Sequence, residues 1–447
     1  MDAMRRVIVS MGSVALAGMM ALAPPAAGQD GSGYWSSGPQ VVDSLALDQV
    51  VERALRSSPQ MVQAETGVQS AVMGTRQAYA SFLPNLSVSG GASLSSSERF
   101  DPSTGLRVSG QTDSYSAGMS SNIDLFSGGR NVAGVRSAQA SEDAAEASLV
   151  TRRFSVAVTA KRAFYSVLRA GDLIKITEDR IGQAEENMEA AERRLSAGRA
   201  TRSDVLRAEL QLRNARQAKL EATTQHRTAM FALGQVVGAS GPVAARRPES
   251  LAPTPLALSP DRLREMVLAE APAVLAADAG MDVASAGLSQ ARSQYMPSIG
   301  LRAGYNWVNT DLQLAHGRTS WSTSLGISFP VFNRLQREVS VDRANAQLIV
   351  ARAQADDARR SALAELERLL AGLQLAEERL ALLEGSVEVA TEDYRVQQAR
   401  YEHGTTTILE LLSSQIALTQ AENDLVNARY DYQIARAELE SLVGREL

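Results

Sequence analysis

Residues 411–442 read LLSSQIALTQAENDLVNARYDYQIARAELESL, and two interleaved seven-residue rows run through them. One row is large: Leu411, Leu418, Leu425, Tyr432, Leu439. The other is mostly small: Ser414, Ala421, Ala428, Ala435, Leu442. Offsets of three and four residues put both rows on one stripe of a helix, and the small row lets a second helix approach closely. The pattern recurs 206 residues earlier (411 − 205 = 206), with small residues Ala208, Ala215, Ala222, Ala229 and Val236. There the large row, Val205, Leu212, Lys219, His226 and Leu233, turns polar in its middle. A helix with a fixed packing face therefore occurs twice, which makes the chain a duplication before it is anything else.

Working outward, residues 48–238 and 261–447 are predicted to be two copies of one unit, joined by a Pro-rich linker over 239–260. Each copy begins with a helical pattern broken by a proline, Pro59 in the first and Pro272 in the second. Pro84 and Pro297 end these helices, because proline drives the preceding residue out of the helical region. The period then changes from 3.6 to 2. Leu86, Val88, Gly90, Ala92 and Leu94 alternate with small polar residues, and after a polar loop at Ser95–Asp113 so do Tyr115, Ala117, Met119, Ser121, Ile123 and Leu125. This predicts a β-hairpin over about 86–125 and its counterpart over about 298–330, each with one apolar and one wet face. Long helices are predicted over about 131–195 and 337–401, glycine turns at Gly198 and Gly404, and closing helices over about 203–237 and 408–443. A helix of about 65 residues is on the order of 100 Å long, deeper than any globular core. The fold class is thus mainly α with β, a duplicated helix–hairpin–long helix–helix repeat.

The ends and the composition limit the function. Residues 1–28 read as a secretory signal: Arg5 and Arg6, the apolar run Val7–Leu22, then small Ala26 and Gly28 before Gln29. Residues 29–47 are expected to be irregular. A net charge of −5 gives no reason to expect nucleic acid. The absence of cysteine excludes disulfides and thiolate metal sites within the chain. The histidines, His226, His316 and His403, have no zinc-site spacing, and no phosphate-loop or nucleophile-elbow pattern occurs, so neither an enzyme nor a bound cofactor or metal is expected.

The hairpins carry the functional argument. Their alternation, with Tyr115, Tyr305, Trp307 and Trp321 as candidate membrane-interface aromatics, is that of outer-membrane strands. Four strands cannot close a barrel, and open edges cannot sit in lipid, so strands in a membrane require several chains to share one barrel. The open alternative is a periplasmic coiled-coil structural or adaptor protein whose hairpins cap a soluble domain. That would match the apolar alternation to a facing helix.

The duplicated order, the stretch Leu125-Phe126-Ser127-Gly128-Gly129, and above all Arg400-Tyr401-Glu402-His403-Gly404 followed by Thr405–Leu412, resemble the TolC-type outer-membrane efflux channel family. The resemblance implies a homotrimer with a twelve-stranded outer-membrane β-barrel, four strands per chain, continued by a long periplasmic α-helical coiled-coil barrel. It implies the exit channel of a tripartite efflux or type I secretion system, docked to a periplasmic adaptor and an inner-membrane pump of RND or ABC type. Carried over, the family's gate falls on Asp204, Tyr401 and Glu410, and its adaptor-docking turns on Gly198 and Gly404. Thr406 stands where a well-known relative has an arginine, and Ser413 where it has a second carboxylate. Arg199 or Arg202 is a candidate for the missing cation.

Overall fold

The computed structural model describes residues 43–445, apart from 102, 104, 254, 255, 257 and 312–316. The expected signal over 1–28, residues 29–42 of the irregular segment, and His316 lie outside the described residues.

In chain order, β1 (Asp43–Leu45) leads into α1 (Leu47–Ser57) and α2 (Pro59–Ala80). Ser58 separates the two helices: its hydroxyl accepts from the Gln60 amide at 3.2 Å, and Pro59 takes the first helical position, where no amide proton is needed. Strands β2 (Asn85–Asp101) and β3 (Leu106–Phe126) follow, then α3 (Arg130–Ser196) and α4 (Arg202–Val236). After β4 (Val243–Ala245) the order repeats as α5 (Pro260–Glu270), α6 (Pro272–Arg292), β5 (Ser298–Asn309), β6 (Arg318–Ser328), α7 (Gln336–Glu402) and α8 (Ile408–Val443).

Two expectations need correction. Ser95–Asp113 is not a loop: β2 and β3 stay paired out to Asp101↔Leu106. The side chains there are too polar to betray strand by alternation, but backbone pairing continues without an apolar face. Residues 43–47 are not irregular either. Asp43–Leu45 pair in parallel with Val243–Ala245 inside the linker, so the start and end of repeat 1 are tied together. Arg247 fastens the linker further, reaching Asp172 at 2.5 Å, while the Tyr430 hydroxyl donates to the same carboxylate at 2.7 Å.

The small and large rows are the packing faces. Ala208, Ala215, Ala222, Ser414 and Ala428 are buried, as are Leu411, Leu418, Leu425, Tyr432 and Leu439. On α7 the row Leu366, Leu373, Leu380, Tyr394, Tyr401 is buried against α8. Each fully buried leucine is worth about 1.5–3 kcal/mol relative to exposure. The lower helices lie side by side in the order α4–α3–α8–α7, the upper ones in the order α2–α3–α6–α7. The sheet order is β2–β3–β5–β6, all antiparallel. One lateral edge is therefore β2 with α2 and α4, and the other is β6 with α7. Among the described residues no helix is long and apolar enough to cross a membrane.

Candidate functional site

The sheet register sorts side chains cleanly. Val88, Met119, Tyr305 and Trp321 are aligned across all four strands, and Gly90, Ala117, Trp307 and Thr319 form the next row. Paired residues in an antiparallel sheet share a face. One face therefore carries Leu86, Val88, Leu94, Met119, Leu301, Tyr305, Trp307, Trp321, Leu325 and Ile327. The other carries Ser87, Ser89, Ser116, Ser120, Ser322 and Ser324 with Gly118, Gly304 and Gly326. The apolar face is bare: Trp321 is 79% exposed, Val88 78% and Ile327 72%. Among the described residues no helix makes an extensive contact with the sheet, contrary to what a soluble cap requires. Tyr115, Tyr305, Trp307 and Trp321 all lie on it, within three successive rows. Trp321 in β6 and Phe329 just past its end bound the apolar stretch and are eight residues apart, about 27 Å of extended chain before tilt. That suits an apolar band about 25 Å tall.

At the far end the two glycine turns are built alike. Gly198 (φ +67°) and Gly404 (φ +77°) take left-handed conformations that side chains resist. Arg199 N donates to Arg194 O at 2.8 Å, and Thr405 N to Arg400 O at 2.9 Å, satisfying carbonyls at each helix end. The helix starts differ. Asp204 forms a capping box, its Oδ2 accepting from the Thr201 amide at 2.8 Å and the Thr201 hydroxyl at 2.9 Å. That amide bond holds the Asp204 carboxyl below the usual carboxylate range. Glu410 occupies the same repeat position (204 + 206 = 410), and its amide donates to Thr407 Oγ1 at 3.4 Å. Its carboxylate bonds to nothing among the described residues and stays exposed.

Tyr401 is 3% exposed, in a cluster with Tyr394, Ile408, Leu411, Leu412 and Leu418. Its ring lies under the Arg194 guanidinium, 4.3 Å from centroid to Cζ, and Arg194 Nη1 donates to the Tyr401 carbonyl. Burial pushes the Tyr401 phenol up; Arg194 pulls it down and Asp204 pushes it up again. The structure thus brings Tyr401 and Asp204 together through Arg194. Arg199 and Arg202 are exposed and make no ion pair among the described residues, whereas at this tip Arg194 reaches from repeat 1 to Tyr401 of repeat 2. Thr406 is half-buried. Sequence reasoning missed Arg194, whose only signal is its repeat position, shared with Arg400 (194 + 206 = 400). Around the turns Arg193, Arg194, Arg199, Glu402 and His403 line an open cleft of about 680 Å³. Among the described residues no cluster of carboxylates and histidines could hold a metal ion.

The duplication of the chain is also visible in its family match. The family described as outer membrane efflux protein matches residues 50–239 and 263–445, one stretch per repeat. The chain belongs to this family. Among its relatives the Bordetella pertussis protein CyaE is 29% identical over 412 residues, 89% of this chain and 82% of that one. The toluene efflux pump outer membrane protein TtgC of Pseudomonas putida is 25% identical, over 89% of this chain and 83% of its own. The crystal structure of the outer membrane protein VceC from Vibrio cholerae superposes with a TM-score of 0.73, at 21% identity, over 90% of this chain and 96% of that one. In this outer membrane efflux protein, Arg194 at the end of α3 reaches across to the Tyr401 carbonyl of the second repeat.

Proposed function

We propose that three copies form one twelve-stranded outer-membrane barrel continued by a periplasmic helical tunnel. Cargo leaves through it, delivered by an inner-membrane pump through a periplasmic adaptor at the Gly198 and Gly404 turns. The chain is a duct and not a catalyst. The observation that carries this reading is the sheet, apolar and uncovered on one face and open at both edges, which only partner strands can complete in lipid. The helices agree. Edge helix α7 exposes a second seven-residue row, Leu375, Leu382, Val389 and Val396, and the opposite edge helix α4 exposes Leu206, Leu210, Leu220 and Phe231. Residues 375–402 carry seven carboxylates against three cations, net −4, whereas α4 carries six cations against three carboxylates, net +3. A head-to-tail contact that sets α7 of one copy on α4 of the next also sets β6 on β2. Such a contact closes into a ring.

In that ring three Glu410 carboxylates stand near the axis with no partner of their own, so they repel each other and attract cations. Arg194 holds Tyr401, and with it the tip of α7, against repeat 1, so opening has to release this contact. The test is single-channel recording in planar bilayers. Glu410→Gln is expected to lower cation selectivity without changing trimer yield; unchanged selectivity removes Glu410 from the constriction. The family name says efflux and TtgC's name says toluene, while the polar face of the sheet carries Asp124, Arg302 and Arg318, charges of both signs, among its small hydroxyls. We assign cargo choice to the pump.

A further inference from the structure

At the foot of the sheet the connections to the helices leave apolar side chains uncovered. Phe82 and Leu83 are exposed where α2 leads into β2, Leu125 and Phe126 at the end of β3, and Phe329, Val331, Phe332 and Leu335 between β6 and α7. Val331 is 81% and Phe332 75% exposed. Beside this belt a cleft of about 700 Å³ lies between the start of α3, the end of α6 and the start of α7. Its polar wall is Arg130, Gln290, Gln294, Arg334, Ser340 and Arg343, with no carboxylate, and Leu335 and Val339 belong to its lining. Arg130 shares its charge with Asp124 at 3.3 Å. Arg334 and Arg343 are exposed and make no ion pair among the described residues. Arg337, at the same level, is differently placed. It donates to the Pro330 and Val331 carbonyls at 2.9 and 3.3 Å and lies over the Tyr295 ring at 4.9 Å.

Arg334 holds a left-handed conformation, φ +58°, at the position where repeat 1 has Gly128. A side chain kept where glycine serves the other copy stores strain, and such strain points to use. Arg343 likewise has Ser137 as its repeat counterpart (343 − 206 = 137). The site therefore belongs to repeat 2 and occurs once per chain.

We propose that this cleft binds the phosphate headgroup of an anionic phospholipid from the periplasm-facing leaflet. Arg334 and Arg343 pair with the phosphate, and the exposed belt lies along the acyl chains. The proposal rests on the sheet crossing the outer membrane. The apolar face ends at Leu125, Phe126 and Phe329, which places the hydrocarbon boundary there. Headgroups occupy roughly the next 5–8 Å. Arg334 starts at that level, and Arg343, about 10 Å along α7, reaches back with a long apolar stem. Guanidinium forks match phosphate oxygens in pairs, and the amides and hydroxyl supply further donors.

The experiment is native mass spectrometry of the delipidated, detergent-purified channel after incubation with phosphatidylglycerol or phosphatidylcholine, with bilayer conductance measured in parallel. Wild type is expected to retain one phosphatidylglycerol per chain and little phosphatidylcholine. Arg334→Gln/Arg343→Gln should weaken retention by about tenfold or more, given two lost charge-assisted contacts. Arg352→Gln, an exposed arginine of α7 outside the cleft, should match wild type. Equal retention of the two lipids, or by wild type and the double variant, overturns the site. Displacement of the lipid by millimolar inorganic phosphate overturns it too, in favour of free phosphate. Wild-type channels that conduct but hold no phosphatidylglycerol overturn the site alone; a protein that never enters bilayers overturns the channel reading with it. If the double variant fails to assemble, Arg343→Gln, on an exposed helix face, carries the same comparison.

Discussion

The turn after β3 and the turn after β6 are the same turn made from different residues. Gly128 and Gly129 have φ +65° and +82°, while Arg334 and Leu335 have φ +58° and +63°. A left-handed conformation costs a residue with a side chain about 1–2 kcal/mol. At Gly128 an added Cβ would also stand 2.6 Å from Met296 Cβ and 2.8 Å from Ser293 O. Gly128→Ala is expected to lower stability by about 2–4 kcal/mol. Leu335→Gly should raise it by at most about 1 kcal/mol, since relieved strain is partly offset by a freer unfolded chain. Thermal unfolding in detergent reads both, and a neutral Gly128→Ala would mean that the turn relaxes. The two helix-start carboxylates diverge in the same way. Asp204 is engaged by Thr201, so its capping bond is present at neutral pH and is lost only as pH falls through a value below the ordinary 3.8. Glu410 has no such bond among the described residues, which leaves its carboxylate free for the proposed constriction.

The seams between helices are of two kinds. Within a repeat, α3 with α4 and α7 with α8 meet through alanine and leucine rows. Between repeats, the α3–α8 seam is polar toward the tips: Asn187 Nδ2 donates to Gln415 Oε1 at 3.1 Å, and Gln415 Nε2 to Gln183 Oε1 at 3.4 Å, with Asn187 and Gln415 buried. Glu422 faces the same seam. Burial pushes its carboxyl up from 4.5, and Asp179 across the seam pushes it further. A carboxyl with a raised pKa binds its proton more tightly folded than unfolded, so its charge costs stability at neutral pH. That cost fades as pH falls through the raised pKa. Glu422→Gln is therefore expected to raise the melting temperature at pH 7, with the gain disappearing by about pH 4. A gain that persists in acid would mean that charge is not the cause.

For the whole molecule, what matters is that every edge is unfinished on a consistent side. β6 and α7 form one flank; β2, α2 and α4 form the other. Leu382 on the α7 flank is 73% exposed and contributes nothing to the core of a single chain. For the proposed trimer, Leu382→Asp should leave helical circular dichroism unchanged while reducing the heat-resistant oligomer on gels. A carboxylate would otherwise be buried unpaired at each of three contacts. Undiminished trimer would move the interface elsewhere. Oppositely charged flanks also predict that assembly slows as salt rises.

The sequence by itself determined the elements and their duplication: the seven-residue rows, the period-2 stretches, the proline breaks and the 206-residue offset are local patterns, and local dihedrals follow local patterns. The 206-residue offset aligned the glycine turns Gly198 and Gly404, whereas Asp204, Tyr401 and Glu410 were suggested as tip residues by the family resemblance. The sequence failed at Ser95–Asp113, where strands persist by backbone pairing without an apolar face to announce them. Only the tertiary structure decided that β3 lies against β5, that α3 lies against α8, and that Arg194 rather than Arg199 or Arg202 docks on Tyr401. An arginine near a helix end is favourable in any fold through the dipole, so its identity says nothing about a ring 207 residues away. Packing chose that partner, and packing left one face of the sheet without any.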